Sequence, residues 1–442
     1  MTLDQLKQAV EEGTVDTVLL AIADMEGRLQ GKRLTASHFL EEVLEHGAEG
    51  CNYLLAVDVD MDTVDGYAMS SWERGYGDFE MVPDLETLRP IPWHPATVLL
   101  IADIKWGDGS DVVASPRQIL RRQLARLAER GLVASAGTEL EFMVFRDTYE
   151  EAWKRAYRDL EPANLYNVDY SLLGTARVEP LIRRIRNEMQ AAGMRVENSK
   201  GECNFGQHEI NFRYDEALAA ADDHVVYKNG AKEIAAQEGM ALSFMAKFNE
   251  REGNSCHIHC SLAEDGGGNA FAADREMFDR FIAGQLACMR ELTLFFAPNI
   301  NSYKRFAAGS FAPTAVAWGN DNRTCSLRVV GHEEGLRVEN RLPGADVNPY
   351  LAIAAMIAAG LHGIDSELSL EEPVEGNAYT SDNPHVPRNM YDARDLFGSS
   401  TVAREAFGEE VVEHYLNRAR VEIEAFEATV TDWERFRGFE RL

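Results

Sequence analysis

The segment Gly137-Thr-Glu-Leu-Glu-Phe142 constrains the chain most, because carboxylate and apolar side chains alternate in it from Glu139 to Phe142. In an extended strand residues i and i+2 share a face, so Glu139 and Glu141 point one way and Leu140 and Phe142 the other. Such a strand belongs at a boundary between a hydrophobic core and something polar. Two like charges side by side on that face repel unless a positive group lies between them, and a divalent cation is one such group. A solvated strand face is the plainer alternative.

Three further segments raise the same question. Glu202-Cys-Asn-Phe-Gly-Gln-His-Glu209 runs from one carboxylate through a glycine-containing loop into a strand that begins with another. There Glu209, Asn211 and Arg213 share a face, with Ile210 and Phe212 opposite. An ordinary polar loop fits this pattern too. Cys256-His257-Ile-His259-Cys260-Ser261 puts two histidines on one strand face. Imidazole beside carboxylates is a mixed ligand set suited to Mg or Mn, although single histidines are more often core residues. Cys256 and Cys260 raise the idea of a zinc knuckle, but no second pair at finger spacing accompanies them.

Between Asn301 and Asn348 stand Lys304, Arg305, Arg323, Arg328, Arg337 and Arg341, with Glu339 flanked at strand spacing by two of them. Arginine binds carboxylate and phosphate through a planar fork of donors, and a surface ion-pair network is the competing explanation. Together, paired carboxylate sites and arginines describe phosphoryl transfer. The GxxxxGK[ST] loop of P-loop enzymes does not occur.

With 44 basic and 73 acidic residues the formal charge is −29. That argues against a sequence-independent hold on nucleic acid or anionic lipid. A length of 442 residues, 45% of them hydrophobic, suits two or three domains around full cores. The six scattered cysteines read as free thiols in a reducing compartment. The acidic start, MTLDQLKQAVEEGTVD, is unlike a signal peptide, and no apolar run reaches the ~18 residues of a membrane span. The expected location is the cytoplasm.

Periodicity predicts a helix over 3–12, a strand at Val18–Ala23, a helix at His38–His46 and a strand at Thr97–Asp103. Residues 50–92 read as irregular. Ser115-Pro116 marks a helix start running to about Arg130, and the Gly/Asp-rich stretch before it marks a domain boundary. Strands are expected near 133–145, 194–198, 208–214, 241–247 and 255–262. Helices are expected near 176–192, 215–239, 274–296, 346–362 and 402–429, with a surface loop over 370–395. The class is α+β with a mixed or antiparallel sheet.

In this order, ExE, E…GQxE, HxH, NSYKR, NRT…R, RxExR and NPYL resemble the type I glutamine synthetase family over nearly the whole chain. The resemblance implies an N-terminal β-grasp domain over 1–105. It also implies a catalytic domain over 106–442, with a curved, mainly antiparallel sheet flanked by helices. It implies that Glu141, Glu202 and Glu209 hold the metal facing glutamate, with Glu202 one residue closer to Glu209 than is usual. Glu139, His257 and Glu339 correspond to the ligands of the metal facing the ATP phosphates; Mg2+ or Mn2+ is implied. Arg305, Arg341 and Gly253 match glutamate-binding positions. Arg323, Arg328 and Arg337 match the ATP-phosphate arginines, Arg323 with a catalytic part; His259, Ser261 and Tyr214 match nucleotide positions. A homo-oligomer, a dodecamer of two hexameric rings, is implied as well.

The chain departs from that pattern where ammonium is held. Phe311 stands where the family places a flap glutamate, and Ala68 replaces a serine. Asp65 matches the second ammonium carboxylate, and Glu252 stands where an asparagine is expected. A phenyl ring neither binds a cation by charge nor accepts a proton, so the expected acceptor is a primary amine larger than ammonia. A polyamine calls for further acidic partners, which Phe311 does not supply. A small monoamine fits best, and the segment from Gly309 to Gly344 is similar to actinobacterial glutamine synthetase-like proteins that make γ-glutamylethanolamide. The alternatives are an authentic glutamine synthetase, a γ-glutamylpolyamine synthetase and a catalytically silent family member. Tyr379 falls near a tyrosine that is adenylylated in regulated members.

Overall fold

Apolar, β-branched runs build two sheets. The computed structural model describes residues 1–264 and 266–442. The first sheet contains β1 (Thr17–Ala23), β2 (Leu29–Thr35), β3 (Ala48–Cys51), β4 (Asp78–Pro83), β5 (Arg89–Pro90) and β6 (Thr97–Lys105). Its order is β2-β1-β6-β4-β3, with β5 also on β6, and β1 and β6 run parallel. Both central strands are buried over most of their length, which explains their continuous apolar sequence.

The second sheet contains β7 (Leu132–Phe145), β8 (Val196–Gly201), β9 (Gln207–Phe212), β10 (Asp215–Glu216), β11 (Ala241–Ser243), β12 (Cys256–Glu264), β13 (Trp318–Asn320), β14 (Leu327–Val330) and β15 (Arg337–Asn340). The order is β13-β14-β15-β12-β7-β9-β8, with β10 and β11 pairing the two ends of β7. Every pairing described in it is antiparallel except β13 with β14. Leu140 and Phe142 turn into the core as their alternation requires. The mixed α and β architecture with curved sheets agrees with the class read from sequence.

Helices cover the apolar side. The helix Pro349–Asp365 is buried almost throughout. It packs on the helix Arg275–Cys288 at a crossing lined by glycine. A Cβ on Gly284 would lie 2.1 Å from the Ala359 carbonyl oxygen, and one on Gly363 2.1 Å from that of Arg280. The two backbones therefore touch, and no larger residue fits.

Several boundaries differ from the sequence reading. Residues 50–92 contain β4, whose buried Phe79 and Met81 alternate with polar neighbours inside an Asp/Gly/Pro-rich stretch. The helix expected over 274–296 ends at Cys288 and resumes as a short turn, Thr293–Phe296. That over 402–429 is split by Gly408 at φ 87°, a conformation suited to glycine. The strand expected over 241–247 stops at Ser243, and a helix capped by Asn389 starts inside the expected loop at Met390. His38–His46 is helical, but widened to a π-turn at Phe39–Val43.

A buried ion-pair network joins the first sheet to helices that pack on the second. Arg117, at the start of the helix Pro116–Ala128, donates to Asp222 (2.8 and 2.9 Å), to Asp103 of β6 (2.6 Å) and to Asp84 (2.7 Å). Tyr350 donates to Asp222 at 2.6 Å. Removing one partner strands a charge away from water, at about 3–5 kcal/mol. We expect Asp222→Ala to lower the urea midpoint by an amount equivalent to roughly 3 kcal/mol, near the low end because Asp103 and Asp84 remain. An unchanged midpoint would show that the network contributes nothing to stability.

Candidate active site

Strand register assembles the site. Antiparallel pairing sets His257 of β12 opposite Glu139 of β7, and Glu209 of β9 opposite Glu141. On the other side of β12, β15 sets Glu339 opposite His259, and β14 sets Arg328 opposite Glu339. Residues far apart in sequence thus meet on one face of the sheet. Two ligand clusters result: Glu139, His257 and Glu339, and Glu141, Glu202 and Glu209. Within each, one ligand atom per residue lies within 4.8 Å of the others.

Glu141 is buried and accepts from Gln207 Nε2 (3.0 Å) and the Ser255 amide (2.7 Å). Burial, and then the charge of Glu209, push its carboxyl up to about 8. Burial raises Glu209 too, against the opposing charge of Lys200. Asn211 donates to Glu209 at 2.7 Å. Glu202 is ion-paired with Lys200, whose ammonium also lies 3.9 Å from Glu209 and over the ring of Tyr170.

The second cluster is electrostatically different. Burial works to raise Glu339, but the charges of His257 and Arg341 outweigh it and hold the carboxyl near 2. Arg328 donates to it at 3.0 Å and Arg341 at 2.6 Å. Glu139 is likewise held well below the usual carboxylate range, its burial outweighed by His257 and His259. Burial and the Arg341 charge lower His257 to about 4, so the ring is neutral and able to ligate at pH 7. Its Nε2 is buried without a hydrogen-bond partner. His257 Nδ1 faces Glu139 and Glu339 at 3.5 Å each; hard oxygen donors with one imidazole suit Mg2+ or Mn2+, and repelling carboxylates in the other cluster also fit a bound cation.

Two cavities flank Glu139. One, of about 360 Å3, is lined by Glu141, Glu202 and Glu209 and by Glu139 and His257 of the second cluster, together with Gly253, Phe311, Arg323, Arg328 and Arg341, while Glu339 lies buried behind it. The other, of about 550 Å3, is lined by Tyr214, His259, Ser261 and Arg337. Arg337 donates to His259 Nδ1 at 3.1 Å, and that ring's Nε2 lies 3.0 Å from Glu139. Ser261 and Asn269 are bonded to each other, and both donate to the Leu336 carbonyl.

Two expected residues lie elsewhere. Arg305 is buried behind Gly253 and donates to the carbonyls of Arg341 and Leu342, so it supports the cavity from outside its lining. Burial lowers its guanidinium to about 10, and one of its nitrogens has no partner. Asp65 is exposed beside the helix Glu409–Ala428, where Asn417 and Arg420 hold its carbonyl, and it does not reach the cavity within one chain.

Phe311 stands on the cavity wall at φ 57°, and the adjacent Ala312 carbonyl accepts from the Tyr379 hydroxyl at 3.0 Å. Lys200, Gln207, Asn269 and the Ser255 amide escaped the sequence reading. Gln207 lies inside the motif that marks Glu209; the others have no local signature, since only the tertiary pairing brings them in.

Residues 113–437 match the glutamine synthetase catalytic domain. The chain is 66% identical to a γ-glutamylethanolamide synthetase, GlnA4, of Streptomyces coelicolor, over 100% of this chain and 96% of that one. It is 37% identical to a glutamate–isopropylamine ligase of a Pseudomonas species, over 97% and 96%. Among solved structures it is similar to a GmaS/ADP complex, with a TM-score of 0.87, 26% identity and full coverage of both chains. These matches, together with two carboxylate clusters beside an arginine-lined cavity, place the chain in the glutamine synthetase family, as a ligase that forms carbon–nitrogen bonds.

Proposed function

We propose that the chain is an ATP-dependent glutamate–amine ligase whose acceptor is a small primary monoamine, ethanolamine being the first candidate. The observation behind this is Phe311: an aromatic ring, not a carboxylate, walls the cavity shared by both clusters. The 66% identical relative named for γ-glutamylethanolamide synthesis supports the same reading.

In this reading the cavity of Tyr214, His259, Ser261 and Arg337 takes the nucleotide, and that of Glu141, Glu202, Glu209, Gly253 and Arg341 takes glutamate. Arg323 and Arg328 stand where they can stabilise the moving phosphoryl, with Arg337 on the nucleotide side. Arg305 holds the glutamate-side loop from behind. Mg2+ or Mn2+, when bound, neutralises phosphate charge and polarises the reacting oxygens. The γ-carboxylate of glutamate attacks the γ-phosphorus of ATP, and ADP leaves with the electrons of the broken bond. The free amine then attacks the acyl carbon, the C–N bond forms, and phosphate departs.

Asp65 orients the amine and takes its proton, contributed by a neighbouring subunit of a dodecamer of two hexameric rings. An exposed Asp65 remote from its own cavity supports a role in trans. Residues 1–105 form the N-terminal β-grasp domain and 106–442 the catalytic domain. No described helix is long and apolar enough to cross a membrane, and the reading places the enzyme in the cytoplasm.

The acceptor test measures phosphate release with Mg-ATP, glutamate and single amines. Ethanolamine should exceed ammonium in kcat/KM by at least about tenfold, the scale of ~1.4 kcal/mol of discrimination. Phe311→Glu should narrow that gap. An ammonium preference in the unmodified enzyme would instead identify a glutamine synthetase.

A second test concerns Glu141. Its folded-state value, about 8, lies above the ordinary 4.5. The folded, metal-free protein therefore binds a proton that the unfolded chain lacks, and its stability falls as pH rises from 4.5 to 8. Metal binding requires the carboxylate, so near pH 7 it should release about one proton, and affinity should rise with pH to about 8. Calorimetry in buffers of different ionisation enthalpy reads the proton count, and Glu141→Gln should abolish the release. Heats independent of buffer would refute the assignment.

A further inference from the structure

Two acids on the Phe311 cavity wall, Asp169 and Glu252, take no part in the Glu139 and Glu141 clusters. Asp169 is exposed at the rim, and it groups with Glu202 and Cys203. Glu252 belongs to no group of potential metal ligands among the described residues. It precedes Gly253 on the loop that shares this wall with Ser310 and Phe311.

The environment of Glu252 is unusual for a glutamate. Its Oε2 is buried without a hydrogen-bond partner, while 39% of the side chain stays exposed and open to an incoming group. The nearest cation, Arg251 Nε, is 3.9 Å away, beyond hydrogen-bond reach. The Arg251 guanidinium is engaged instead over the ring of Phe205, 4.1 Å from its centroid. The loop backbone is fixed, because Asn204 Nδ2 donates to the Glu252 carbonyl (2.7 Å) and Gln207 Nε2 to that of Gly253 (2.9 Å). A carboxylate oxygen kept dry and unpaired is costly unless a cation or donor meets it in the working state. A divalent ion is a poor candidate, since no second ligand accompanies Glu252.

We infer that Glu252 receives the ammonium head of the acceptor amine, with the Phe311 ring against its carbon chain. A primary amine is protonated at neutral pH. The carboxylate supplies a charge-assisted hydrogen bond, and the ring face adds apolar contact and cation–π attraction. The divided surface accounts for selection of an organic amine over ammonium: ammonium gains the charge contact and forgoes the ring. This rests on the amine-ligase reading. It adds to that reading an acceptor-binding carboxylate from the same chain as the cavity, distinct from Asp65.

The test uses the full-length enzyme with Glu252→Gln and Glu252→Asp, after confirming unchanged thermal unfolding. Glu252→Gln should raise the KM for ethanolamine at least tenfold while changing the KM values for glutamate and ATP less than threefold. Glu252→Asp should recover part of the loss. An unchanged ethanolamine KM would overturn the assignment. So would an equal or larger rise in the glutamate KM, which would place Glu252 at the α-ammonium of glutamate. If the unmodified enzyme shows no monoamine-dependent phosphate release, the amine-ligase reading itself fails, and that outcome is read before any variant is made.

Discussion

Repulsion between carboxylates on one sheet face is the constraint around which the rest of the structure is arranged. Glu139 and Glu141 share a face of β7, and register adds Glu209 opposite one and His257 opposite the other. Left alone, this concentration of negative charge would weaken the sheet that creates it. The protein answers in two ways. Around Glu339 it supplies Arg328 and Arg341, which keep the carboxylate ionised. Around Glu141 and Glu209 it supplies mainly amide donors and Lys200, and burial then favours the protonated acid. One face therefore holds a permanently charged cluster beside one poised to exchange a proton for a cation.

That difference suits a reaction with two charged partners. Glu139 of the arginine-rich cluster lines both cavities, which in the proposed reading is where phosphate charge is held during transfer. The carboxylate-rich cluster lines the cavity that Gly253 and Phe311 also line. Rigid backbone supports both: helices meeting glycine on glycine behind the sheet, and Arg117 tying the first sheet to the helices of the second. The residues proposed to set specificity sit apart, on two loops. Phe311 and Glu252 belong to neither cluster, so substrate preference can change without disturbing the metal ligands.

Much of this was legible in sequence because it is local. A period of two fixes which side chains share a face, so the ExE, HxH and RxExR pairs declared their geometry without coordinates. The strand Asp78–Pro83 was lost because its surroundings carry turn-forming composition, and its two buried apolar residues are too few to stand out. The helices predicted as single pieces broke at points set by packing and, in one case, by Gly408. Arg305 was expected at a glutamate-binding position; the fold gives one of its nitrogens to backbone carbonyls behind the loop and leaves another without a partner.

What the sequence determined by itself was the chemical inventory: which residues can ligate, which can grip phosphate, and that position 311 offers no charge. Those properties belong to side chains and to spacing along one strand. Tertiary structure decided which pairs meet, because register between strands more than a hundred residues apart is a property of the whole sheet. It also decided protonation, since burial and the proximity of Glu209 set the Glu141 carboxyl. And it decided which carboxylate faces the acceptor: Glu252 is one glutamate among many in an acidic chain until the fold leaves its oxygen dry and unpaired beside Phe311.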